Sequence, residues 1–317
     1  MRKVIKGILF IGILICLIEV LNFILIPKHS LFKASNYEVS GEKDNSIDVV
    51  FLGDSLVYSS VSPMEIWNEY GVTSFDCSEA AQIIPDSLRY LEFTFENQKP
   101  KVVFMEANVL FRDPKKRQLS VSLAQSSLRL FPIAKYHDNW KKYLEEKSDS
   151  VWVNVYKGYK YITKIDSAKT MDYMAETEEF NTIPEHNMDY FDKIVELCEK
   201  NGAKLILIGF PSQKSWKYKK HNTATKVASD YGLDFIDLNL EDLGISWKDD
   251  TKDKGAHLNH SGAKKVSKYI GSYIIENKLA EDHRGDSFYN SWNVAYKQYL
   301  NGTTNQLNSF QEQTMEN

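Results

Sequence analysis

Five short apolar runs punctuate the chain: Ile47 to Leu52 (IDVVFL), Thr73 to Cys77, Lys101 to Glu106 (KVVFME), Lys204 to Gly209 (KLILIG) and Asp234 to Leu238. Runs this short, rich in β-branched and large apolar residues, read as strands buried on both faces. Amphipathic stretches of helical spacing lie between them. Ser62-Pro63-Met64-Glu65 has an N-cap Ser, Pro at the first helical position and Glu three residues after the cap, a helix start leading to Tyr70. Pro85 to Glu96, Asn187 to Asn201 (stopped by Gly202), Lys214 to Tyr231 and Ser261 to Glu276 supply four more helices. Strands alternating with helices predict an α/β fold: a parallel sheet of about five strands in a three-layer α/β/α arrangement.

A different kind of segment precedes this pattern. Gly7 to Ile26 is a 20-residue apolar run interrupted by Glu19 and Asn22, and as a helix it would span about 30 Å, the thickness of a bilayer core. Arg2, Lys3 and Lys6 precede it, which places the N-terminus in the cytoplasm and the rest of the chain outside. No small-residue cleavage site follows, so residues 1–28 are expected to be an uncleaved transmembrane signal anchor and residues 29–46 a tether. Glu19 is either a contact to another membrane protein or a tolerated charge in a strong anchor.

The chain has 317 residues, with 39 Lys and Arg against 43 Asp and Glu. Residues 1–28 carry a net +3, which leaves about −7 on the remainder of a chain of net charge −4. A domain of that charge has no bulk attraction for nucleic acid or any other polyanion, so such binding would have to come from local groups. Three cysteines exclude a disulfide scaffold. Cys198 falls on an apolar helical face and is expected to be a buried free thiol, and nothing in the spacing forces it to pair with Cys77.

Residues 47–281 are expected to form the catalytic domain. Within it, residues 111–185 break the strand–helix rhythm and are aromatic-rich (FPIAKYHDNW at 131–140), so they read as an inserted, partly helical lid or subdomain. Residues 282–317 are a C-terminal extension with a Gln/Asn/Thr-rich end expected to be disordered.

Gly53-Asp54-Ser55-Leu56 follows the first strand directly. Ligands and catalytic groups collect at the carboxyl ends of parallel strands, and a Gly there lets the backbone bend so that a Ser hydroxyl stands exposed. Alone, the tetrapeptide reads equally well as a capping Asp and a turn Ser. Asp253 to Asn259 (DKGAHLN), just before the last helix, adds a histidine, His257, with upstream carboxylates. A Ser hydroxyl needs a base to take its proton, and the imidazole needs a carboxylate to fix its tautomer. His260 with His257 and Asp253 would make an incomplete metal set, so no metal and no cofactor are expected. His137, between Tyr136 and Trp140, is placed either to bind substrate by stacking and hydrogen bonding or to pack the insertion.

GDSL after the first strand, with Asp and His-Leu-Asn before the last helix, resembles the SGNH or GDSL hydrolase superfamily over most of residues 47–276. The resemblance implies a flavodoxin-like fold, Ser55 as nucleophile, His257 as general base, and an oxyanion hole from the Ser55 backbone N–H, a backbone N–H of the second-strand loop (Ala80) and the Asn108 side chain. Asp54 and His137 are the substrate-binding candidates. The sequence departs from the family pattern in three places. The second loop, Cys77 to Ala81, lacks the usual Gly. The third motif is Glu106-Ala107-Asn108. The acid is not three residues before His257, where Lys254 stands, which leaves Asp253, the better placed, or Asp250.

The anchor, GDS, FPIAKYHDNW, HLNHSGAKKV and DHRGDSFYNSW together look like the membrane-anchored SGNH proteins of the DltD-like and polysaccharide O-acetylation type. That resemblance implies work beside a multipass membrane-bound O-acyltransferase, moving acetyl or D-alanyl groups onto hydroxyls of wall polymers (teichoic acid) or exopolysaccharide. A carbohydrate esterase of the same polymers, or a non-catalytic partner of the acyltransferase, are the alternatives.

Overall fold

The computed structural model describes residues 2–25, 38–113 and 155–315. The chain divides into two units, Met1–Gly41 with Lys115–Trp152, and Glu42–Pro114 with Val153–Asn317. In the first, α1 (Arg2–Leu25) is one continuous helix of 24 residues. Several of its side chains lie outside the described set, and counted over the described residues no helix is long and apolar enough to cross a membrane. The expected anchor is therefore a reading of the sequence alone.

The second unit is built on five strands, β1 (Val49–Gly53), β2 (Ser74–Ser78), β3 (Val102–Glu106), β4 (Lys204–Gly209) and β5 (Asp234–Asp237). Their order is β2-β1-β3-β4-β5 and every pairing is parallel. All five were expected, because a strand covered on both faces must be apolar almost throughout. Alternate residues separate the faces. Val49, Phe51, Val102, Phe104, Ile206 and Ile208 share one buried cluster with Leu56 and Val57 of α2 (Ser55–Ser60), Ile66 of α3 (Pro63–Tyr70) and Val266, Ile270 and Ile274. The last three lie on α7, defined below. The opposite face is covered by α4 (Ile84–Phe95) and α5 (Glu185–Lys200), which contact each other. Two more helices, α6 (Tyr218–Tyr231) and α7 (His260–Glu276), complete the α/β/α layers.

Two local expectations are corrected. The helix at Ser62 starts at Pro63 as its sequence predicts, but Ser62 makes no side-chain cap bond, and Glu65 instead accepts the Tyr299 hydroxyl at 2.8 Å. Helix α6 begins at Tyr218 rather than Lys214, because the preceding residues are committed elsewhere. Ser212 Oγ donates to the Ala256 carbonyl at 2.8 Å, and Trp216 Nε1 donates to Asp237 Oδ2 at 2.9 Å. In the C-terminal extension α8 runs Asn290–Met315 and its first turns carry core residues. Trp292 is fully buried, 5.6 Å from the Trp67 ring and 4.4 Å from Lys157 Nζ. Upstream of it, His283 Nε2 lies 2.8 Å from Asp48 Oδ2.

Of the expected insertion, residues 114–154 lie outside the described residues. Residues 155–184 form neither helix nor strand. They are a strap tied by backbone bonds to the catalytic unit: Lys160 N to Tyr58 O at 2.9 Å, His260 N to Ile162 O at 2.8 Å, Asp166 N to Thr251 O at 2.9 Å and Ala168 N to Trp247 O at 2.8 Å. Cys77 and Cys198 are both buried and free.

Candidate active site

In this strand order the chain reverses its winding direction between β1 and β3, and the loops leaving their carboxyl ends part to open a crevice. Ser55 leaves β1 there, and Asn108 leaves β3 in the 3-10 turn Ala107–Phe111. Gly53 is required by packing: a Cβ at this position would lie 2.5 Å from Glu106 Cβ and 2.7 Å from Val57 Cγ2. Asp54 then caps α2, its Oδ1 accepting the Leu56 N–H at 2.8 Å. Ser55 is the first residue of that helix, so its N–H has no intrahelical carbonyl to reach.

The histidine arrives on a loop from the opposite end of the sequence. Thr251 and Leu258 form an antiparallel bridge that closes the loop between them. Lys254 (φ 59°) and Gly255 (φ 83°) are successive left-handed residues that fold the chain back. This reversal brings Asp253 and His257, four apart in an irregular loop, into contact. Asp253 Oδ2 lies 2.5 Å from His257 Nδ1, and Asp253 Oδ1 accepts the His257 backbone N–H at 2.7 Å. The carboxylate can only accept, so the ring hydrogen sits on Nδ1 and Nε2 is left as an acceptor. Ser55 Oγ is 2.7 Å from that Nε2. Burial would raise the Asp253 carboxyl, but hydrogen bonds from the His257 ring and backbone, together with the charges of His257 and Lys252, hold it below the usual range.

Asp250, the other acid considered, is not on the ring: it is buried, paired with Lys265 Nζ at 2.7 Å, and accepts the Ser246 N–H at 2.7 Å. His260 is engaged elsewhere, with Nδ1 3.1 Å from the Tyr159 hydroxyl, and burial and Lys264 push its pKa down to about 4. No group of three or more metal-binding side chains occurs among the described residues.

Of the oxyanion candidates, Ala80 lies in the exposed loop after β2, whose last residue, Ser78, pairs in register with Gly53. The loop therefore leaves the sheet at the same edge as Ser55. This loop adopts left-handed backbone at an alanine, Ala81 (φ 54°). Asn108 is nearly fully buried, its Nδ2 donating to Asp54 Oδ2 at 3.3 Å and its Oδ1 accepting Lys220 Nζ at 2.6 Å.

Asp54, expected to bind substrate, is corrected. Its carboxylate has no exposed surface and is consumed by the Leu56 N–H, Asn108 and the guanidinium of Arg112. A carboxylate this deeply buried needs such partners to offset its lost hydration. His137 lies outside the described residues.

Four residues not singled out in the sequence complete the site. Arg112 reaches back to Asp54. Glu106 is fully buried at the end of β3; desolvation first, and the Asp54 charge second, push its pKa well above the carboxylate range, against the charges of Arg112 and Lys220. Its Oε2 accepts the Asp54 N–H at 3.3 Å, and Oε1 has no partner among the described residues. Lys220, pulled down by burial, also donates to the Ser215 carbonyl at 2.7 Å. Tyr58 stands one turn after Ser55 on α2, and burial raises its pKa.

No family model matches the chain, and no curated protein matches it in sequence. Solved structures similar to it include the psychrotrophic esterase EstA from a Pseudoalteromonas species (14% identity, 73% of this chain and 98% of that one, TM-score 0.39). A family 3 carbohydrate esterase from Clostridium thermocellum (12%, 73% and 96%, 0.38) and a lipase/acylhydrolase from Enterococcus faecalis (14%, 73% and 97%, 0.36) are also similar.

Proposed function

We propose that this chain is a serine enzyme of the SGNH class that handles acyl esters through an acyl-Ser55 intermediate. The observation that carries this reading is the unbroken chain Ser55 Oγ, His257 Nε2, His257 Nδ1, Asp253 Oδ2, with contacts of 2.7 and 2.5 Å. Ser55 Oγ attacks the ester carbonyl while its proton passes to His257 Nε2, and Asp253 stabilises the resulting imidazolium. The negative oxygen of the tetrahedral intermediate is met by the Ser55 N–H, the Asn108 amide and an N–H of the Ala80 loop. His257 returns the proton to the departing oxygen. A hydroxyl, deprotonated by the same nitrogen, then attacks the acyl-serine and releases Oγ.

The finer reading is a membrane-anchored O-acyltransferase acting outside the cytoplasm. The apolar run within residues 1–28 would hold the catalytic unit at the membrane surface beside a multipass membrane-bound O-acyltransferase, and the acceptors would be hydroxyls of a cell-wall polymer or exopolysaccharide. Water in place of the acceptor makes the same site a carbohydrate esterase. That second reading is favoured by the openness of the pair, since the side chain of His257 is 24% and that of Asp253 39% exposed. A fluorophosphonate tests the common chemistry: covalent labelling at Ser55 that disappears in Ser55→Ala is expected, and an unlabelled wild-type chain with intact fold overturns it. Supplying an acetyl donor with an oligosaccharide acceptor separates the two finer readings by whether acetylated sugar or free acetate accumulates.

A further inference from the structure

Asp54 sets an electrostatic problem for the site. Its carboxylate has no exposed surface, and its Oδ2 lies 3.3 Å from Asn108 Nδ2, the amide placed to meet the negative oxygen of the tetrahedral intermediate. Lys220 holds the oxygen end of that amide at 2.6 Å, so the NH₂ end cannot turn away. One of its hydrogens goes to Asp54, and the second is the one offered to the oxyanion. An oxyanion about 3 Å from the amide nitrogen stands roughly 5 Å from the carboxylate bonded to the other hydrogen. Two like charges at that separation, at an effective dielectric constant of about 20, repel strongly enough to slow a reaction about 10²-fold. A bare Asp54 would work against the oxyanion hole.

Arg112 cancels that charge. Its Nε donates to Asp54 Oδ2 at 2.7 Å, and its Nη2 reaches the same oxygen. Asp54 Oδ1 is spent on the Leu56 N–H, so the oxygen that faces Asn108 is also the one the guanidinium covers. Burial alone would lower the Arg112 pKa, but the Asp54 charge, and after it that of Glu106, raises it, so the group stays cationic. The backbone is built to put it there. Arg112 directly follows the 3-10 turn that carries Asn108, and its carbonyl accepts the Nδ2 of buried Asn187 at 2.9 Å, the same nitrogen that donates to the Leu110 carbonyl at 2.8 Å. One amide from the first turn of α5 thus fixes the chain on both sides of Phe111.

We propose that Arg112 is a positioning residue for the formation of acyl-Ser55, acting through Asp54: it cancels the carboxylate charge behind the oxyanion hole, so that Asn108 can serve the developing negative oxygen. The proposal rests on the reading of Ser55 as nucleophile and Asn108 as a donor of the hole, and adds a residue that works without touching the reacting atoms.

Turnover of 4-nitrophenyl acetate by the full chain tests it, with a melting curve for every variant. Arg112→Met is expected to lower kcat about 10²-fold with KM changed less than about threefold. Removing the charge that Arg112 cancels should give most of this back: Asp54→Asn/Arg112→Met is expected to run about tenfold faster than Arg112→Met. Where Arg112→Met fails to fold because a buried charge has lost its partner, Asp54→Asn and the double variant make the comparison. Their kcat values are expected to agree within about threefold, since Arg112 then has no charge to cancel. A merely structural Arg112 gives the opposite pattern. A double variant no faster than Arg112→Met, or one more than about threefold slower than Asp54→Asn, overturns the proposal. Labelling of Ser55 by the fluorophosphonate keeps the two readings apart. A chain that labels but shows the opposite pattern loses the role of Arg112 and keeps the acyl-enzyme, and a wild-type chain that neither labels nor cleaves the ester loses both.

Discussion

Asp253 holds His257 at two points, with one carboxylate oxygen on the ring Nδ1 at 2.5 Å and the other on the backbone N–H of the same residue at 2.7 Å. Ring and backbone are therefore fixed by one side chain, and the loop cannot shift without disturbing the tautomer. Asp253→Asn is expected to lower kcat about 10³- to 10⁴-fold, as loss of the orienting carboxylate does in a serine triad. Asp250→Asn is expected to lower the melting temperature and leave kcat close to wild type, because Asp250 serves Lys265 and Ser246. Steady-state kinetics and melting curves on the pair decide this. Since the folded pKa of Asp253 is depressed, its contribution to stability is present above about pH 4 and lost as pH falls through the lowered value.

Lys220 grips the Asn108 amide by its oxygen at 2.6 Å, which leaves the NH₂ end turned toward Asp54 and the nucleophile turn. Lys220→Met frees that amide to rotate. A fall in kcat of about tenfold with KM changed less than about twofold is expected, smaller than the loss on removing an oxyanion donor outright. A change confined to KM would count against the positioning role.

Asp76 on β2 is buried with neither carboxylate oxygen partnered among the described residues, and burial raises its pKa well above the usual range. The folded state thus keeps a proton that the unfolded chain releases near pH 4. Stability from this group is complete below that pH and declines as pH rises toward the folded value. Asp76→Asn is expected to flatten this decline, read as the wild-type-minus-variant difference in urea unfolding. Asp76→Val is expected to stabilise the chain at neutral pH by about 1–3 kcal/mol, the cost of an unsatisfied buried polar group.

Ala81 holds left-handed backbone at φ 54°, where a Cβ crowds the following carbonyl at a cost of about 1–2 kcal/mol. Ala81→Gly removes that strain but frees the unfolded chain, so a net gain of about 0.5 kcal/mol is expected. Chemical denaturation at neutral pH measures it, and a loss of stability would mean that the Ala81 methyl group packs favourably.

Trp292 packs its whole ring against Trp67 and Lys157. Trp292→Ala should cost about 3–5 kcal/mol, and ending the chain at residue 281 should leave little cooperative unfolding. An unchanged thermal transition in the shortened chain would make residues 282–317 dispensable.

The sequence made the sheet legible because strands covered on both sides have no choice but to be apolar, as in KLILIG at 204–209. Ser55 and His257 were legible because each stands at a strand end or before a helix, positions that turn residues mark. The acid was less so: whether Asp253 or Asp250 reaches the ring depends on the backbone reversal at Lys254 and Gly255, and a lysine in left-handed backbone announces nothing in a sequence. Arg112, Glu106 and Lys220 were illegible for a deeper reason. A charged residue at a strand end or on a helix reads as solvated unless one knows that tertiary packing closes over it. Tyr58 stands at helical spacing from Ser55, yet α2 is only six residues long, too short to show a period.

The strap at 155–184 joins backbone groups on both sides of the Ser55–His257 contact, with Lys160 on the Tyr58 carbonyl, Ile162 accepting from His260, and Asp166 and Ala168 on the Thr251 and Trp247 carbonyls. The two chemical halves, 202 residues apart in sequence, are laced together by a third piece of chain that carries neither. Activity and fold can therefore fail separately. A single proteolytic nick within the strap would let the halves drift while every strand stayed paired, leaving a protein with the circular dichroism of the intact chain and an idle serine.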